Sequence, residues 1–349
     1  RSFRYFLNSH NFVIIFDECH ICGGDGTHNN KILKAARTGG AKIILISATV
    51  ADKPTKLDAI GYALGLHDGS FNGFKKFLLS VGGRYNVTRY GTEWTFNMDM
   101  ACKSIRRLIF ETRKGLRKVA EEIAEIPDNQ IIVEFAELNG QTVKINEIYE
   151  NLERRIQELQ FESSSSIHIL AEITKSLQAV ELQKIAWLED AIKNDIEEGM
   201  SVCVFMNYRE SVETLSKALM KNGIEACVMT GETSTEERTK LVCEFQDDKK
   251  RVFISTTAAG GAGISLHDVR GQFPRISYIM PSFNSIHIKQ ALGRAGGRAG
   301  GKTKSITKIV FVKDTPEEKQ GLALEQKINF IDSLNDGDLK QGFSFAKFV

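Results

Sequence analysis

Two series of apolar runs alternate with amphipathic segments along the chain. In the first series, Phe12 to Phe16 and Lys42 to Ser47 are predicted strands, and Asn30 to Arg37 between them has a helical pattern. A continuous apolar run of this kind is typical of a parallel strand that is buried on both faces. The two strand ends lie 30 residues apart, which suits one strand–helix–strand crossover.

The second series begins near residue 200. Its predicted strands are Ser201 to Phe205, Glu225 to Met229, Arg251 to Ser255, Arg275 to Met280 and Ile306 to Val312. Its predicted helices are Arg209 to Met220, Ser234 to Phe245, 284 to 293 and 315 to 333. Strands that alternate with helices predict a parallel sheet covered on both sides, so the predicted fold class is α/β.

The segment between the two series is mainly helical by pattern. Residues 55–80, 100–125, 143–160 and 168–198 are predicted helical, 84–97 a short hairpin or loop, and Ile131 to Leu138 a strand. The run FESSSS at 161–166 is the predicted flexible joint. We therefore expect the first domain over 1–160, a linker over 161–177, the second domain over 178–335 and a tail over 336–349.

Composition narrows the class of protein. The chain has 349 residues, of which 26% are charged and 42% hydrophobic, as in globular proteins with two cores. No apolar stretch approaches the roughly 20 residues of a membrane span, so we expect no membrane partner. The six cysteines are scattered, which disfavours a disulfide framework and fits a reducing compartment. The net charge of +2 decides nothing about nucleic acid.

The sequence DECH, Asp17 to His20, follows the first strand directly. Open α/β sheets bind ligands at this end of their strands. An aspartate there can hold Mg²⁺, and an adjacent glutamate can orient the water that attacks a γ-phosphate. The alternative is an ordinary polar strand end. Cys19 and Cys22 have a zinc-ligand spacing, but no second pair follows, so zinc is not expected.

Two glycine-rich stretches follow strands or helices of the second series. STTAAGGAGISL, Ser255 to Leu266, lets backbone N–H groups approach an anion, although a plain glycine-rich turn is an alternative. It lacks the Gly-Lys-Ser/Thr ending of a Walker A loop. QALGRAGGRAGGKTKS, Gln290 to Ser305, carries Arg294 and Arg298 beside glycines, which suits fingers that reach a phosphate.

Basic residues cluster in two places. No acid occurs between His287 and Lys313, and Lys103 to Lys118 contains seven basic residues and one acid. Such clusters attract phosphate backbones. A solvated basic face is the alternative for each.

The order of these motifs resembles that of the superfamily 2 helicases and translocases, over nearly the whole chain. DECH comes first, then SAT at Ser47 to Thr49, then Ala259 to Leu266 and Gln290 to Arg294. The last two resemble motifs five and six of the sucrose-non-fermenting type of DNA translocase and of its phage and large-virus relatives. The resemblance implies two RecA-like domains with mostly parallel sheets, the first incomplete and carrying a helical insertion, with ATP in the cleft between them.

The resemblance also assigns roles by position. It implies that Asp17 coordinates Mg²⁺, that Glu18 is the general base, and that Arg294 and Arg298 contact the γ-phosphate. It implies that His20 and Gln290 couple the two domains. The nucleotide-binding residues it implies are Asp17, Gly263, Arg294 and Arg298. The residues it implies for nucleic-acid contact or coupling are Ser47, Thr49, Thr230, Gly231, Thr256 and Gly261.

Two features depart from the family pattern. The second arginine comes one residue late, because Ala295, Gly296 and Gly297 separate Arg294 from Arg298. No Walker A loop is identified, and family members carry it upstream of DECH, so the resemblance implies a truncated chain.

We therefore expect part of an ATP-dependent DNA helicase or double-stranded DNA translocase. The alternatives are a catalytically inactive nucleic-acid-binding module and a non-enzymatic interaction protein with a decayed helicase fold. The expected partner is nucleic acid, with DNA favoured. The expected location is the cytoplasm, which is the host's for a virus or phage, or the nucleus of a eukaryote.

Overall fold

The computed structural model describes residues 13–47, 50–88, 91–112, 114–116, 126–138, 140–161, 166–261, 263–282, 285–321 and 324. These residues divide into two compact units, the first over 13–116 and the second over 126–324. Among them, no helix combines the length and the apolar character needed to cross a bilayer.

The first unit begins with the predicted strand–helix–strand crossover. Strand β1 is Val13–Phe16, helix α1 is His28–Thr38 and strand β2 is Lys42–Leu45. The two strands pair in parallel, with Phe16 opposite Leu45. Helix α1 begins where it does because the Thr27 hydroxyl accepts a hydrogen bond from the Asn30 N–H, which caps the first turn. The predicted crossover is confirmed.

The rest of the first unit packs around this crossover. Its elements are α2 (Asp58–Ala63), α3 (Phe71–Ser80), β3 (Gly83–Thr88), β4 (Gly91–Phe96) and α4 (Met98–Arg106). Strands β3 and β4 form an antiparallel hairpin, as predicted for 84–97. A π-helical turn, Arg107–Glu111, continues α4.

The two faces of the β1–β2 sheet differ. On one face, Phe16, Ile43 and Leu45 pack against a core that contains Leu33 and Ile60. On the other face, residues of both strands and the residue after β2 are between 47% and 59% exposed: Val13, Ile15, Ile44 and Ile46. The prediction of a strand buried on both faces is therefore wrong for the described residues. An apolar run shows that both faces of a strand could be buried. It does not show which element, if any, covers each face.

The second unit contains a parallel sheet of six strands. The strands are β5 (Asn129–Ala136), β6 (Ser201–Met206), β7 (Ala226–Met229), β8 (Val252–Thr256), β9 (Arg275–Ile279) and β10 (Ser305–Val312). Their order is β5-β10-β9-β6-β8-β7, and every pair is parallel. All six residues of β6 and all five of β9 are buried. The predicted α/β fold class is confirmed.

Helices connect these strands. They are α5 (Gln141–Phe161), α6 (Ser166–Gln183), α7 (Ile185–Glu197), α8 (Arg209–Lys221), α9 (Thr235–Gln246), α10 (Thr257–Gly260) and α11 (Ser285–Leu292). Helix α9 begins after Ser234, whose hydroxyl accepts a hydrogen bond from the Glu237 N–H. The helices predicted over 143–160, 168–198, 209–220 and 234–245 are confirmed. Most of the predicted helix over 315–333 lies outside the described residues.

The predicted domain boundary differs from the structure. Strand β5 was expected in the first domain, over 1–160, but it pairs along eight residues with β10 of the second unit. Val133 and Ala136 of β5 are buried there, which extends the apolar sheet by one strand. Most of the predicted linker, 161–177, is occupied by α6. The predicted tail, 336–349, lies outside the described residues.

Candidate functional site

The DECH residues form a tight turn at the carboxyl end of β1. Glu18 has left-handed backbone angles, φ 49° and ψ 48°. Its N–H donates to Oδ1 of Asp17 at 2.9 Å, and the Cys19 N–H donates to the Ile46 carbonyl at 3.0 Å. A positive φ at a residue other than glycine is uncommon and is often found at functional sites. The turn is thus fastened to the chain that continues from β2.

The Glu18 carboxylate lies in a cluster with His20 and Ser47. His20 Nδ1 is 3.0 Å from Ser47 Oγ and 3.2 Å from Glu18 Oε2. The Ser47 hydroxyl lies 3.4 Å from the same Glu18 oxygen. The His20 side chain is 7% exposed and that of Glu18 is 36% exposed. The structure therefore joins DECH to the first residue of SAT, and it holds a solvent-accessible carboxylate in a fixed position, as a general base requires.

The side chain of Asp17 fits the role of a magnesium ligand. It is exposed beside Glu18, and a carboxylate oxygen is the donor that Mg²⁺ prefers. In the part of the chain that the structure describes, no group of three or more histidine, cysteine or acidic residues could hold a metal. Magnesium sites of one carboxylate completed by substrate phosphates need no such group. Thr49 lies outside the described residues.

Zinc at Cys19 and Cys22 is disfavoured by the environment of the thiols. Both side chains are buried. Burial raises the pKa of both, to about 12 for Cys19, where the Cys22 thiol and Glu18 raise it further. A zinc ligand must be a thiolate, so forming the ligand costs more free energy at these buried thiols than at exposed cysteines.

In the second unit, both arginines bind the backbone of the glycine-rich loop. Arg294 Nε donates to the Gly261 carbonyl at 2.9 Å. An Arg298 N–H donates to the Ile264 carbonyl and to the Ser265 hydroxyl, each at 2.8 Å. Burial lowers the pKa of the Arg298 guanidinium. Motifs predicted separately at 255–266 and 290–305 are therefore one cluster, in which the arginines fix the loop.

Packing accounts for several of the glycines. A Cβ on Gly260 would lie 1.9 Å from the Ser255 hydroxyl, and one on Gly261 would lie 2.3 Å from the Thr257 carbonyl. Gly263 has a φ of +72°, which side chains rarely adopt. The alternative of a glycine-rich turn thus explains the composition without an anion, and the nucleotide-binding role of Gly263 stays a prediction.

The other predicted residues lie near the carboxyl ends of strands. Thr230 follows β7, and Thr256 ends β8. An N–H of Arg238 donates to the Thr230 carbonyl at 3.1 Å and approaches that of Gly231 at 3.5 Å. Gln290 lies on α11, which follows β9, and it is 9% exposed. This edge is where open α/β sheets bind their ligands.

The sequence reasoning missed Glu181 and Asn207. The Glu181 carboxylate accepts hydrogen bonds from the backbone N–H of Asn207 and of Tyr208, and from the Asn207 amide, at 2.8–3.2 Å. The same amide donates to the Pro281 carbonyl at 2.7 Å, which links the ends of β6 and β9. Burial raises the pKa of Glu181. The sequence signal for this hydrogen-bond network was an asparagine directly after an apolar strand.

A cavity of about 370 Å³ lies beside Asn207. Its lining includes the carboxylates of Glu181 and Glu317 and one ammonium, that of Lys184. The ammonium is bound by Glu317 at 2.7 Å. The lysine charge in this lining is therefore already paired with a carboxylate, which weakens its attraction for a phosphate.

A Walker A pattern was also overlooked. Gly296 to Thr303 fits the spacing G-x-x-x-x-G-K-T. The structure places these residues after helix α11 and before strand β10, whereas a phosphate loop follows a strand and opens a helix. The Thr303 hydroxyl donates to Asp268 at 3.0 Å, and the Lys302 N–H donates to the Asp268 carbonyl at 2.8 Å. The match is therefore one of spacing alone.

Acidic side chains on β5 and on the residue before it neutralise part of the basic cluster at 287–313. Lys304 is 3.1 Å from Asp128, and Lys308 is 3.1 Å from Glu134. In the other cluster, Lys103 is 2.9 Å from Asp99. The charge available to a phosphate backbone is therefore smaller than the sequence indicates.

Comparison with known proteins gives concordant similarities. Residues 183–300 match the family model of the helicase conserved C-terminal domain. A protein of Acanthamoeba polyphaga mimivirus, named "Putative ATP-dependent RNA helicase L364", is 29% identical over 343 residues, which are 95% of this chain and 62% of that protein. Helicase swr1 of Schizosaccharomyces pombe is 27% identical over 168 residues, which are 47% of this chain and 13% of swr1.

A solved structure is also similar, the Sulfolobus solfataricus SWI2/SNF2 ATPase core in complex with double-stranded DNA. It is 17% identical, with a TM-score of 0.42, and the match covers 99% of this chain and 74% of that one. The family and sequence similarities confirm the predicted resemblance to superfamily 2 helicases of the SNF2 type. The chain is similar to these proteins and spans 62% of the length of the mimivirus protein and 13% of that of swr1.

Proposed function

We propose that this chain belongs to an ATPase that couples ATP hydrolysis to movement on DNA. The observation that carries the proposal is the Glu18–His20–Ser47 cluster at the carboxyl edge of β1 and β2. A carboxylate fixed by an imidazole and a hydroxyl, and still accessible, suits a base that orients water for attack on a γ-phosphate.

The remaining roles follow from the chemistry of each side chain. Asp17 would hold Mg²⁺, which neutralises charge on the phosphate oxygens during transfer. Arg294 and Arg298 would stabilise the charge that develops on the transferred phosphoryl group. His20 and Ser47 would transmit the state of Glu18 to the segment that follows β2, toward nucleic-acid contact.

DNA is the proposed nucleic acid. The resemblance of Ala259 to Leu266 and of Gln290 to Arg294 to the DNA-translocase motifs supports it. The mimivirus relative carries RNA helicase in its name, so RNA is the competing substrate. Stimulation of ATP hydrolysis by duplex DNA, and weaker stimulation by duplex RNA, supports DNA; the reverse order overturns it.

An inactive nucleic-acid-binding module is the second candidate. The sequence contains a single Gly-Lys-Thr, at Gly301 to Thr303, and it precedes a strand. We therefore expect these 349 residues alone to hydrolyse ATP poorly. We call a polypeptide that contains these residues together with a phosphate loop the ATPase-competent form.

The decisive variant is Glu18→Gln in the ATPase-competent form. It keeps the shape of the side chain and removes the charge, so kcat should fall by at least about 10²-fold while ATP affinity changes little. Glu93→Gln on the exposed strand β4 is the matched control and should retain full turnover. Unchanged turnover in Glu18→Gln would remove Glu18 from the mechanism, and it would favour the inactive module if DNA binding persists.

A further inference from the structure

The arginine loop, defined here as residues 293–298, is held by a side chain from a distant part of the sequence. Asn129, the first residue of β5, precedes Leu292 by 163 residues. Its amide nitrogen donates to the Leu292 carbonyl at 2.8 Å, at the end of helix α11. Asn129 therefore touches the chain immediately before the arginine loop.

The other end of the same amide is fixed by β10. The Asn129 Oδ1 accepts from the Ser305 hydroxyl at 2.9 Å and from the Thr307 hydroxyl at 3.0 Å. Ser305 and Thr307 are buried. The Leu292 carbonyl can only accept and the two hydroxyls can donate, so the orientation of the amide is determined by its partners.

The same side chain shapes the one-residue insertion between the arginines. A Cβ on Gly296 would lie 1.5 Å from the Ser305 hydroxyl oxygen and 3.2 Å from the Asn129 Oδ1. Gly297 has a φ of +63°, and a Cβ there would lie 3.3 Å from the Asn129 Cβ. The two glycines thus turn the backbone tightly against Asn129 and Ser305, and no other residue type fits at Gly296 without moving them.

Arg298 directly follows this turn. With the extra residue folded against Asn129, the Arg298 side chain returns to the glycine-rich loop and donates to Ile264 and Ser265. Arg294, on the preceding turn, donates to Gly261 of the same loop. The insertion therefore leaves both guanidinium groups on one stretch of backbone.

We propose that Asn129 is a positioning residue for the arginine loop, and that it sets the aim of Arg298 through its hydrogen bond to Leu292. This inference rests on the proposed function, in which the two arginines act on the transferred phosphate. Asn129 itself touches neither arginine in these contacts, so its effect is on the placement of the loop.

The first test compares Asn129→Asp with Thr307→Val. The aspartate is isosteric but cannot donate to the Leu292 carbonyl, whereas Thr307→Val removes a bond on the β10 side and leaves the Leu292 bond in place. In the ATPase-competent form, Asn129→Asp should lower kcat about tenfold, with KM for ATP within about twofold, because a displaced charge-stabilising group costs turnover more than ground-state binding. Thr307→Val should keep wild-type kcat.

The second test distinguishes failure of this inference from failure of the proposed function. If Arg298→Ala lowers kcat strongly, Asn129→Asp should add little to it, because both changes remove the same aimed group. If Arg298→Ala and Arg294→Ala leave turnover intact, the proposed roles of the arginines fail. If the arginine variants are impaired and Asn129→Asp is not, the inference about Asn129 is overturned.

The third test needs no turnover and uses the 349-residue chain. Amide hydrogen exchange over residues 293–301 should be at least about tenfold faster in Asn129→Asp than in wild type, and unchanged in Thr307→Val. Asn129→Ser, which removes the amide without adding charge, should show the same local increase and keeps the test valid if the aspartate prevents folding. Wild-type exchange rates in both Asn129 variants would overturn the proposal.

Discussion

Strands β1 and β2 of the first unit and strands β6 and β8 of the second have the same kind of sequence but different surroundings. All four consist mainly of apolar residues and lie in parallel pairs. In β6 every residue is buried, whereas in β1 alternate residues are about half exposed. The difference lies in what packs on the second face, since the residue types are similar.

This contrast shows what an apolar run can predict. It indicates that a strand is suited to cover on both faces, because parallel sheets are normally buried between helix layers. It does not identify the covering element. Within the described residues, the outer face of β1 and β2 stays open, so the same substitution should have different consequences in the two sheets.

The largest difference is expected for a buried charge. Val204→Asp, at a fully buried position of β6, should destabilise the second unit by more than about 4 kcal/mol, because an unpaired carboxylate would be buried in an apolar core. The matched Ile15→Asp, on the exposed face of β1, should cost less than about 1 kcal/mol.

Tryptophan fluorescence during urea denaturation separates the two units. The chain has two tryptophans: Trp94 lies on β4 of the first unit, and Trp187 packs edge-on against Tyr278 in the second. Trp94→Phe and Trp187→Phe backgrounds isolate each signal. Comparable losses for Val204→Asp and Ile15→Asp would show that the outer face of β1 is buried in solution.

A smaller difference is expected for shortening an isoleucine. Ile254→Ala in β8 removes a fully buried side chain and should cost roughly 2–5 kcal/mol, from lost burial and the cavity left behind. Ile44→Ala in β2, where the side chain is 47% exposed, should cost about 1 kcal/mol or less. Equal shifts of the two urea midpoints would contradict the contrast.

The smallest effect is expected for the pH dependence of stability. Burial lowers the pKa of His67 in the first unit, so the unfolded chain binds the proton more tightly than the folded one. The stability that neutral His67 provides is present above about pH 6.5 and is lost as the pH falls below that value. We expect the Trp94 transition to lose stability between pH 7 and pH 5, and His67→Gln to remove most of that dependence.

The second unit should respond less to the same change. Burial lowers the pKa of His267 and of His287 there, but it raises that of Glu181 and of Asp195. The raised carboxyl groups take up protons more readily in the folded state, which favours folding as the pH falls. A Trp187 transition more acid-sensitive than the Trp94 transition would contradict this assignment.

Local patterns predicted most of the elements. The helix at Arg209–Lys221 and the strand at Ser201–Met206 follow from periodicity and apolar content alone. The sheet to which β5 belongs does not follow from its local sequence, because its alternating pattern fits either sheet. Its pairing with β10 depends on residues more than 160 positions away. Long-range pairing of this kind leaves no trace in a local window.

The sequence predicted several residues that belong to the candidate site. It did not predict the contacts between them. DECH, Ser47 and the two arginines were identified from their positions, but their partners were not. The three-membered cluster of Glu18, His20 and Ser47 depends on how two strands end side by side. Asn129 carries no motif, so its contact with Leu292 could be found only from the folded chain.

The pairing of β5 with β10 has a consequence for synthesis on the ribosome. Strand β5 ends at residue 136 and β10 begins at residue 305. At translation rates of about 5–20 residues per second, β5 waits roughly 10–30 s for its partner. During that interval the nascent strand is an unpaired apolar edge, the kind of segment that chaperones bind, and the arginine loop cannot yet have its Asn129 contact. The second unit therefore acquires its finished form only after β10 has been translated.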